Sequence, residues 1–288
     1  MPRLIVNADD FGLTPGVNRA IVEAHTRGIV TSATLMANAT AFEDAIQLAG
    51  SNPRLGVGCH VVLVDGVPVL NASSVPTLVR GRHDGEFDRN AVSFAIRAWR
   101  GRIDPAEIEA EATAQIRKLQ NAGIRVTHVD THKHVHAFPP VLDPVLRAAK
   151  ACGVSAIRNP FEGIAFSHIA TRPKLWKRYS QVRILSTLAA KFRQAVEKDG
   201  ITTTNGILGI VATGTLDDRL LRGMIEDLPE GTWELVCHPG YNDADLQKIQ
   251  TRLRASREVE LQLLTSPEAP SLLSQKRVQL VSYSDLLG

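Results

Sequence analysis

Residues 127–138, "THVDTHKHVHAF", place His128, His132, His134, His136 and Asp130 together in a chain that has only nine histidines. Imidazoles and carboxylates at this density suit a divalent cation. Two imidazoles and one carboxylate hold such an ion and leave positions open for water and substrate. Elsewhere the sequence offers Asp9 and Asp10 in "IVNADDFGL", His60 in "GCHVVL" and His238 in "CHPG". Asp10, His60 and one of His132, His134 and His136 can make up the ligand set. Asp9 cannot easily share that role, because neighbours in extended chain point to opposite sides. At a distorted strand end it is better placed to take a proton from a water, whose pKa a bound cation lowers to ~7. Asp130 is a candidate to orient an imidazole from behind.

Each residue also has a plain structural reading. An Asp-Asp pair after a strand commonly makes a turn or a helix cap, and a single histidine is commonly a satisfied core residue. His134 and His136 can equally shape a pocket or face solvent. Cys59-His60 and Cys237-His238 suggest a Cys2His2 zinc site. Strand alternation turns each cysteine away from its histidine, so the thiols are expected to be buried and structural. "HVD" (128–130) also matches the H-x-D half of an iron facial triad, but those sites usually sit on antiparallel barrels.

The elements that must carry these residues alternate. Short β-branched runs at 3–6, 29–37, 55–63, 125–130, 155–159, 206–212, 233–238 and 277–283 are separated by helical patterns such as "DPAEIEAEATAQIRKLQNAG" (104–123). That helix has Asp104 as its cap, Pro105 in its first turn and Gly123 at its end. Such alternation predicts a mostly parallel sheet with helices outside it. About seven strands in one domain favour a distorted (β/α) TIM-like barrel over an open doubly wound sheet. The candidate residues then fall at strand ends that converge on one mouth, which is where such barrels do chemistry. Residues 1–288 read as a single domain, with insertions near 65–102 and 160–203.

Composition narrows the function classes. The 288 residues carry 33 Lys+Arg against 30 Asp+Glu, a net charge of +3, with 5% aromatic residues. That excess is too small, and aromatic residues too few, to argue for nucleic acid. Three cysteines with no C-x-x-C spacing read as reduced thiols. With no signal peptide and no transmembrane run, the chain reads as cytoplasmic. Residues 164–196 hold seven Lys/Arg and no acid, with Phe166, Trp176, Tyr179 and Phe192 interspersed. This stretch is either a solvated helix face over a core stripe or an interfacial helix for anionic lipid.

"IVNADDFGL", "GCHVVL", "THVDTHKHVH" and "CHPG", in this order and spacing, resemble the YdjC-like carbohydrate deacetylases, which include chitooligosaccharide deacetylase. The likeness runs from the first strand to about residue 240. The wording "GCHVVLVDGVPVL" and "AIRNPFE" is most similar to the hopanoid-biosynthesis-associated branch. Some relatives have "GLHL" or "GMHF" where this chain has "GCHV", and "CHPA" where it has "CHPG"; no functional atom is lost.

The resemblance implies a distorted βα barrel with Asp10, His60 and His132 as metal ligands, Asp9 as the base and His238 as the acid. It implies a metal-dependent hydrolase that removes an N-acetyl group from an N-acetylglucosamine-type sugar. A glycosylated hopanoid precursor is the first substrate expected and a chitooligosaccharide the alternative. The cation expected is magnesium or zinc, with manganese or cobalt as further options; two imidazoles favour the softer ions. The rival readings are a metal-dependent phosphoester hydrolase, which would release phosphate rather than acetate, and an inactive carbohydrate-binding protein, which would not need both Asp9 and Asp10. The partner expected is the amino sugar, with peripheral membrane contact through 164–196. Oligomeric state is left open, a homodimer included.

Overall fold

The first strand, β1 (Arg3–Phe11), does not stop before the two aspartates but runs through them. The computed structural model describes residues 1–79 and 85–286. The later strands are β2 (Ser32–Leu35), β3 (Gly56–Val61), β4 (Val129–Thr131), β5 (Gly206–Leu208), β6 (Thr232–Cys237) and β7 (Gln279–Leu280). All pair in parallel, in the order β4-β3-β2-β1-β6-β5, with β7 beside the start of β1. Isolated bridges Val129↔Ile157, Ala156↔Thr202 and Glu162↔Ile207 then carry the pairing from β4 across residues 156–162 to β5. The sheet therefore curls toward closure, as the distorted barrel requires. Its strands are buried on both faces, as in a parallel sheet covered by helices.

The helices are α1 (Pro15–Thr26), α2 (Phe42–Ser51), α3 (Ala91–Trp99), α4 (Pro105–Asn121), α5 (Pro139–Ala151), α6 (Pro173–Leu185), α7 (Ala189–Lys198), α8 (Asp218–Glu226), α9 (Ala244–Lys248), α10 (Ala255–Thr265) and α11 (Glu268–Gln275). Helices α1, α4, α5 and α6 open on proline, whose fixed φ suits a first turn and whose missing N–H costs nothing there. Asp104 caps α4 by accepting from the Ala106 N–H at 2.9 Å.

Buried polar residues of these elements hold the loops at the strand ends. On α4, Gln115 exchanges two hydrogen bonds with the Val62 backbone, at 2.8 and 2.7 Å. Glu111 accepts from the Val69 and Leu70 N–H groups at 2.7 and 3.1 Å. Glu162 accepts from the Ile164 and Val211 N–H groups at 3.2 and 3.0 Å, tying down the loop after β5.

The stretch 65–102, expected as loop or insertion, contains α3. The Asn90 side chain caps it by accepting from the Val92 and Ser93 N–H groups at 2.9 and 3.1 Å, and Phe94, Ala95 and Ala98 turn inward. The Gly, Pro and Arg residues on either side hid this short helix in the sequence. Residues 80–84, within the same stretch, lie outside the described residues. The terminal run expected at 277–283 narrows to the two residues of β7, followed by a 3-10 turn from Tyr283 to Leu286.

Candidate active site

Alternation would send Asp9 and Asp10 to opposite sides of β1, and a bulge prevents it. Ala8 pairs with Ala33 and Phe11 with Leu35, so β1 takes three steps where β2 takes two. Asp10 takes up the extra residue at φ 67°, a left-handed conformation that aspartate tolerates better than most residues. Both carboxylates consequently line one cleft. The turn beyond is fixed by Asn18, which accepts from the Gly12 N–H at 2.6 Å and donates to the Ala41 carbonyl at 3.0 Å and to Asp44 Oδ2 at 2.7 Å.

At the floor of the cleft, His60 Nε2 lies 3.1 Å from His132 Nδ1, and Asp10 Oδ1 lies 3.8 Å and 3.6 Å from them. Bonds of ~2.0–2.2 Å from three such ligands to one ion place the ligand atoms ~2.8–3.6 Å apart in tetrahedral or octahedral arrangement. The three side chains fit a shared divalent cation with little movement. Behind them, Asp130 Oδ1 meets His60 Nδ1 at 2.8 Å, which leaves Nε2 directed at the site. Asp10 Oδ2 is held by Arg257 Nη2.

The electrostatics of the site treat its two imidazoles differently. Burial disfavours a charged His60, yet Asp130, then Asp9 and Asp10, overcome it and push its imidazole up to about 9. His132 is brought down to about 4 by burial, with His60 and Lys133 adding repulsion against the pull of Asp10. Burial would raise Asp10, but Arg257 and the surrounding histidines hold it well below the usual carboxylate range.

Asp9, Asp130 and Glu234 converge on one fully buried guanidinium, Arg158. Its Nη1 donates to Asp9 Oδ2 at 2.9 Å and to Asp130 Oδ2. Its Nη2 donates to Asp9 Oδ1 at 2.6 Å and to Glu234 Oε1 at 2.7 Å, and its Nε to the same Glu234 oxygen at 2.9 Å. Asn7 and Thr34 add donors to Asp9 Oδ1 at 3.0 and 3.1 Å. Burial opposes ionisation of Asp9, but Arg158 outweighs it and keeps the carboxyl far below its ordinary value. A second group able to hold an ion, Asp9 with His60 and Asp130, is thus already neutralised by Arg158. Among the described residues no guanidinium bridges the ligand atoms of the Asp10–His60–His132 group.

The remaining histidines divide by role. His128 lies stacked on Tyr283, ring centroids 3.7 Å apart, and a Cβ at Gly58 would sit 2.4 Å from it. His136 is buried, with Nδ1 at 2.7 Å from the Thr131 hydroxyl and Nε2 at 3.1 Å from the Arg158 carbonyl. His134 lines the cleft, and both it and Lys133 take left-handed backbone angles (φ 54° and 56°). Lys133 is anchored to Asp65 at 2.6 Å and to the Arg89 carbonyl at 3.0 Å. His238 follows β6, with its N–H on Glu260 Oε2 at 2.6 Å and its Nδ1 without a hydrogen-bond partner among the described residues, 3.9 Å from that same oxygen. Cys59 and Cys237 are buried free thiols, and neither is in a group able to hold an ion among the described residues.

The cleft encloses about 570 Å³, ample for a sugar. It brings together Asp9, Asp10, His60, His132 and His238, drawn from four strand ends. Sequence reasoning did not single out Arg158, Glu234, Arg257 or Glu260. A signal did exist for two of them: Arg158 in "SAIRN" and Glu234 in "WELVC" are charges inside apolar strand runs, where only a buried partner makes them tolerable.

A family model described as YdjC-like protein matches residues 3–275. The chain is 37% identical over 284 residues to a carbohydrate deacetylase of Brevibacillus brevis, covering 99% of each. It is 36% identical over 286 residues to a carbohydrate deacetylase of Geobacillus stearothermophilus, covering 99% of this chain and 98% of that one. Among solved structures it is similar to a candidate cellobiose-phosphate cleavage protein of Enterococcus faecalis V583, with a TM-score of 0.76, 27% identity, and 99% and 98% of the two chains covered.

Proposed function

This chain belongs to the YdjC-like family, and from that premise we propose that it is a metal-dependent carbohydrate deacetylase. It hydrolyses the amide of an N-acetylated sugar to a free amine and acetate. The observation that carries the reading is the triad of Asp10 Oδ1, His60 Nε2 and His132 Nδ1 within 3.8 Å of one another, at the floor of a sugar-sized cleft with Asp9 beside it. Asp10, His60 and His132 would hold the cation. When bound, it supplies Lewis acidity that polarises the acetamide carbonyl and acidifies water.

Asp9 is ionised at neutral pH and accepts the proton of the attacking water. Its low proton affinity, set by Arg158, makes it a relay rather than a store for that proton. His238 hands a proton to the departing amine, the step without which an amide does not cleave readily. Arg158 and Asp130 keep Asp9 and His60 aimed while water is excluded from behind. Two imidazoles and a carboxylate favour zinc, cobalt or manganese over magnesium. Elemental analysis of protein purified without added metal identifies the ion.

Residues 1–288 act as one catalytic unit on this reading. The insertion at 65–102 contributes Asp65 and Arg89 to the cleft wall, and that at 160–203 contributes Arg178. The substrate within this class is an N-acetylglucosamine-type sugar carried on a hopanoid lipid, the branch suggested by "GCHVVLVDGVPVL" and "AIRNPFE". In support, α6 buries only Leu175 and Val182, while Phe166 and Trp176 stand exposed beside Lys174 and Lys177, suited to lipid contact through 164–196. Among the described residues no helix is long and apolar enough to cross a membrane. Acetate release from N-acetylglucosaminyl hopanoid, run beside diacetylchitobiose with and without chelator, tests the reading. Turnover of neither, or turnover indifferent to chelator, overturns it.

A further inference from the structure

Away from the cleft, α3 carries an apolar ridge that nothing among the described residues covers. Phe94, Ala95 and Ala98 face the core, while Val92, Ile96 and Trp99 recur at i, i+4 and i+7 on the outer side and are 66%, 47% and 56% exposed. Val, Ile and Trp in register on one short helix form a contiguous stripe rather than scattered surface residues. The same helix end is strongly cationic. Arg100 and Arg102 are exposed, with no carboxylate within salt-bridge distance among the described residues, and Arg97 reaches the Thr77 carbonyl and lies 3.8 Å from Asp88. No acid occurs between residues 89 and 103. A shallow depression lined by Val92, Ile96, Arg97, Arg100 and Arg102 joins the two features.

We propose that α3 is a docking helix for an anionic lipid surface. Val92, Ile96 and Trp99 enter the boundary between headgroups and acyl chains, and Arg100 and Arg102 pair with lipid phosphates. Charge decides between this occupant and a second copy of the chain. A twofold contact would set these arginines against their own copies, whereas anionic headgroups neutralise them. Tryptophan beside arginine is also the composition that settles at a membrane–water boundary. Helix α3 begins two residues after Arg89, which lines the mouth of the cleft, so docking through it holds that mouth near the lipid. The proposal rests, for its purpose, on the lipid-linked reading of the substrate, and adds to 164–196 a separate contact on the other insertion.

Sedimentation of the full chain with vesicles, at low salt, tests it. Wild type should pellet with mixed phosphatidylcholine and phosphatidylglycerol vesicles and not with phosphatidylcholine alone. Ile96→Ser with Trp99→Ser, and separately Arg100→Glu with Arg102→Glu, should each weaken binding at least about tenfold. Both variants should retain wild-type circular dichroism and acetate release from soluble diacetylchitobiose, so loss of docking is distinct from failure of the deacetylase reading. Three results overturn the proposal. One is wild type that ignores anionic vesicles. Another is binding abolished by Trp176→Ser with Lys177→Glu but untouched by the α3 variants. The third is a light-scattering mass that falls from dimer to monomer on Trp99→Ser, which would make the ridge a subunit contact.

Discussion

Arg158→Lys keeps the charge at the centre of the site and changes only its geometry. The guanidinium makes five charge-assisted hydrogen bonds to three buried carboxylates: two to Asp9, one to Asp130 and two to Glu234. An ammonium has three donors, so at least two of the five bonds are lost. At ~1.5–3 kcal/mol for each bond to a charged group, the loss is ~3–6 kcal/mol before any repositioning of the lysine recovers part of it. Against a total stability of ~5–15 kcal/mol, the urea midpoint followed by circular dichroism should fall visibly. Burial pushes Glu234 above its ordinary range against the pull of Arg158 and Tyr283, so it should give up its charge when the guanidinium is lost. Glu234→Gln should therefore cost the Arg158→Lys protein less than it costs wild type, a coupling of ~1 kcal/mol or more. If Arg158→Lys loses under ~1 kcal/mol, or Glu234→Gln is equally costly in both backgrounds, the idea of one guanidinium shared by three acids is wrong.

The remaining expectations concern individual groups. His132→Ala or Asp10→Ala should leave purified protein without bound metal by elemental analysis and without turnover; metal content and rate equal to wild type would remove either residue from the ligand set. Asp9→Asn should retain metal but lose ~10²–10⁴-fold in rate, the usual share of a general base, and full activity would exclude Asp9 from proton transfer. Burial raises Glu162 from 4.5 to about 7 against the pull of the Val211 and Ile164 N–H groups. Its protonated form is therefore the one the fold prefers. That contribution is complete below pH 4.5 and is lost as pH rises through about 7. The stability difference between wild type and Glu162→Gln should shift toward the variant by ~3 kcal/mol over that range; parallel stability curves in pH would refute it.

Much of this was legible in the sequence because local rules and tertiary packing agree. Asp104 and Pro105 announce the start of α4, and β1, β3 and β6 are apolar runs ending in polar residues that meet at one face. What escaped depends on contacts distant in sequence. Alternation alone puts Asp9 and Asp10 on opposite sides, and only the pairing of β1 with β2 creates the bulge that turns both inward. Arg158 reads as an interruption of a strand until Asp9, 149 positions away, is seen to be its partner. Helix α3 is short and flanked by breakers, so its capping by Asn90 carries more information than its periodicity. Arg257 and Glu260 lie on a helix whose sequence resembles any solvated face, although both are buried against the site.

The C-terminal tail is wired to the reactive end of the barrel. Tyr283 lies flat on His128, its hydroxyl donates to Glu234, Glu234 grips Arg158, and Arg158 aims Asp9. The family model matches as far as residue 275, eight positions before that tyrosine, whereas the relatives align over almost the whole chain. Trimming the protein at residue 275 would cut the far end of a relay of contacts, and the damage would surface across the molecule, at the Asp9 carboxylate.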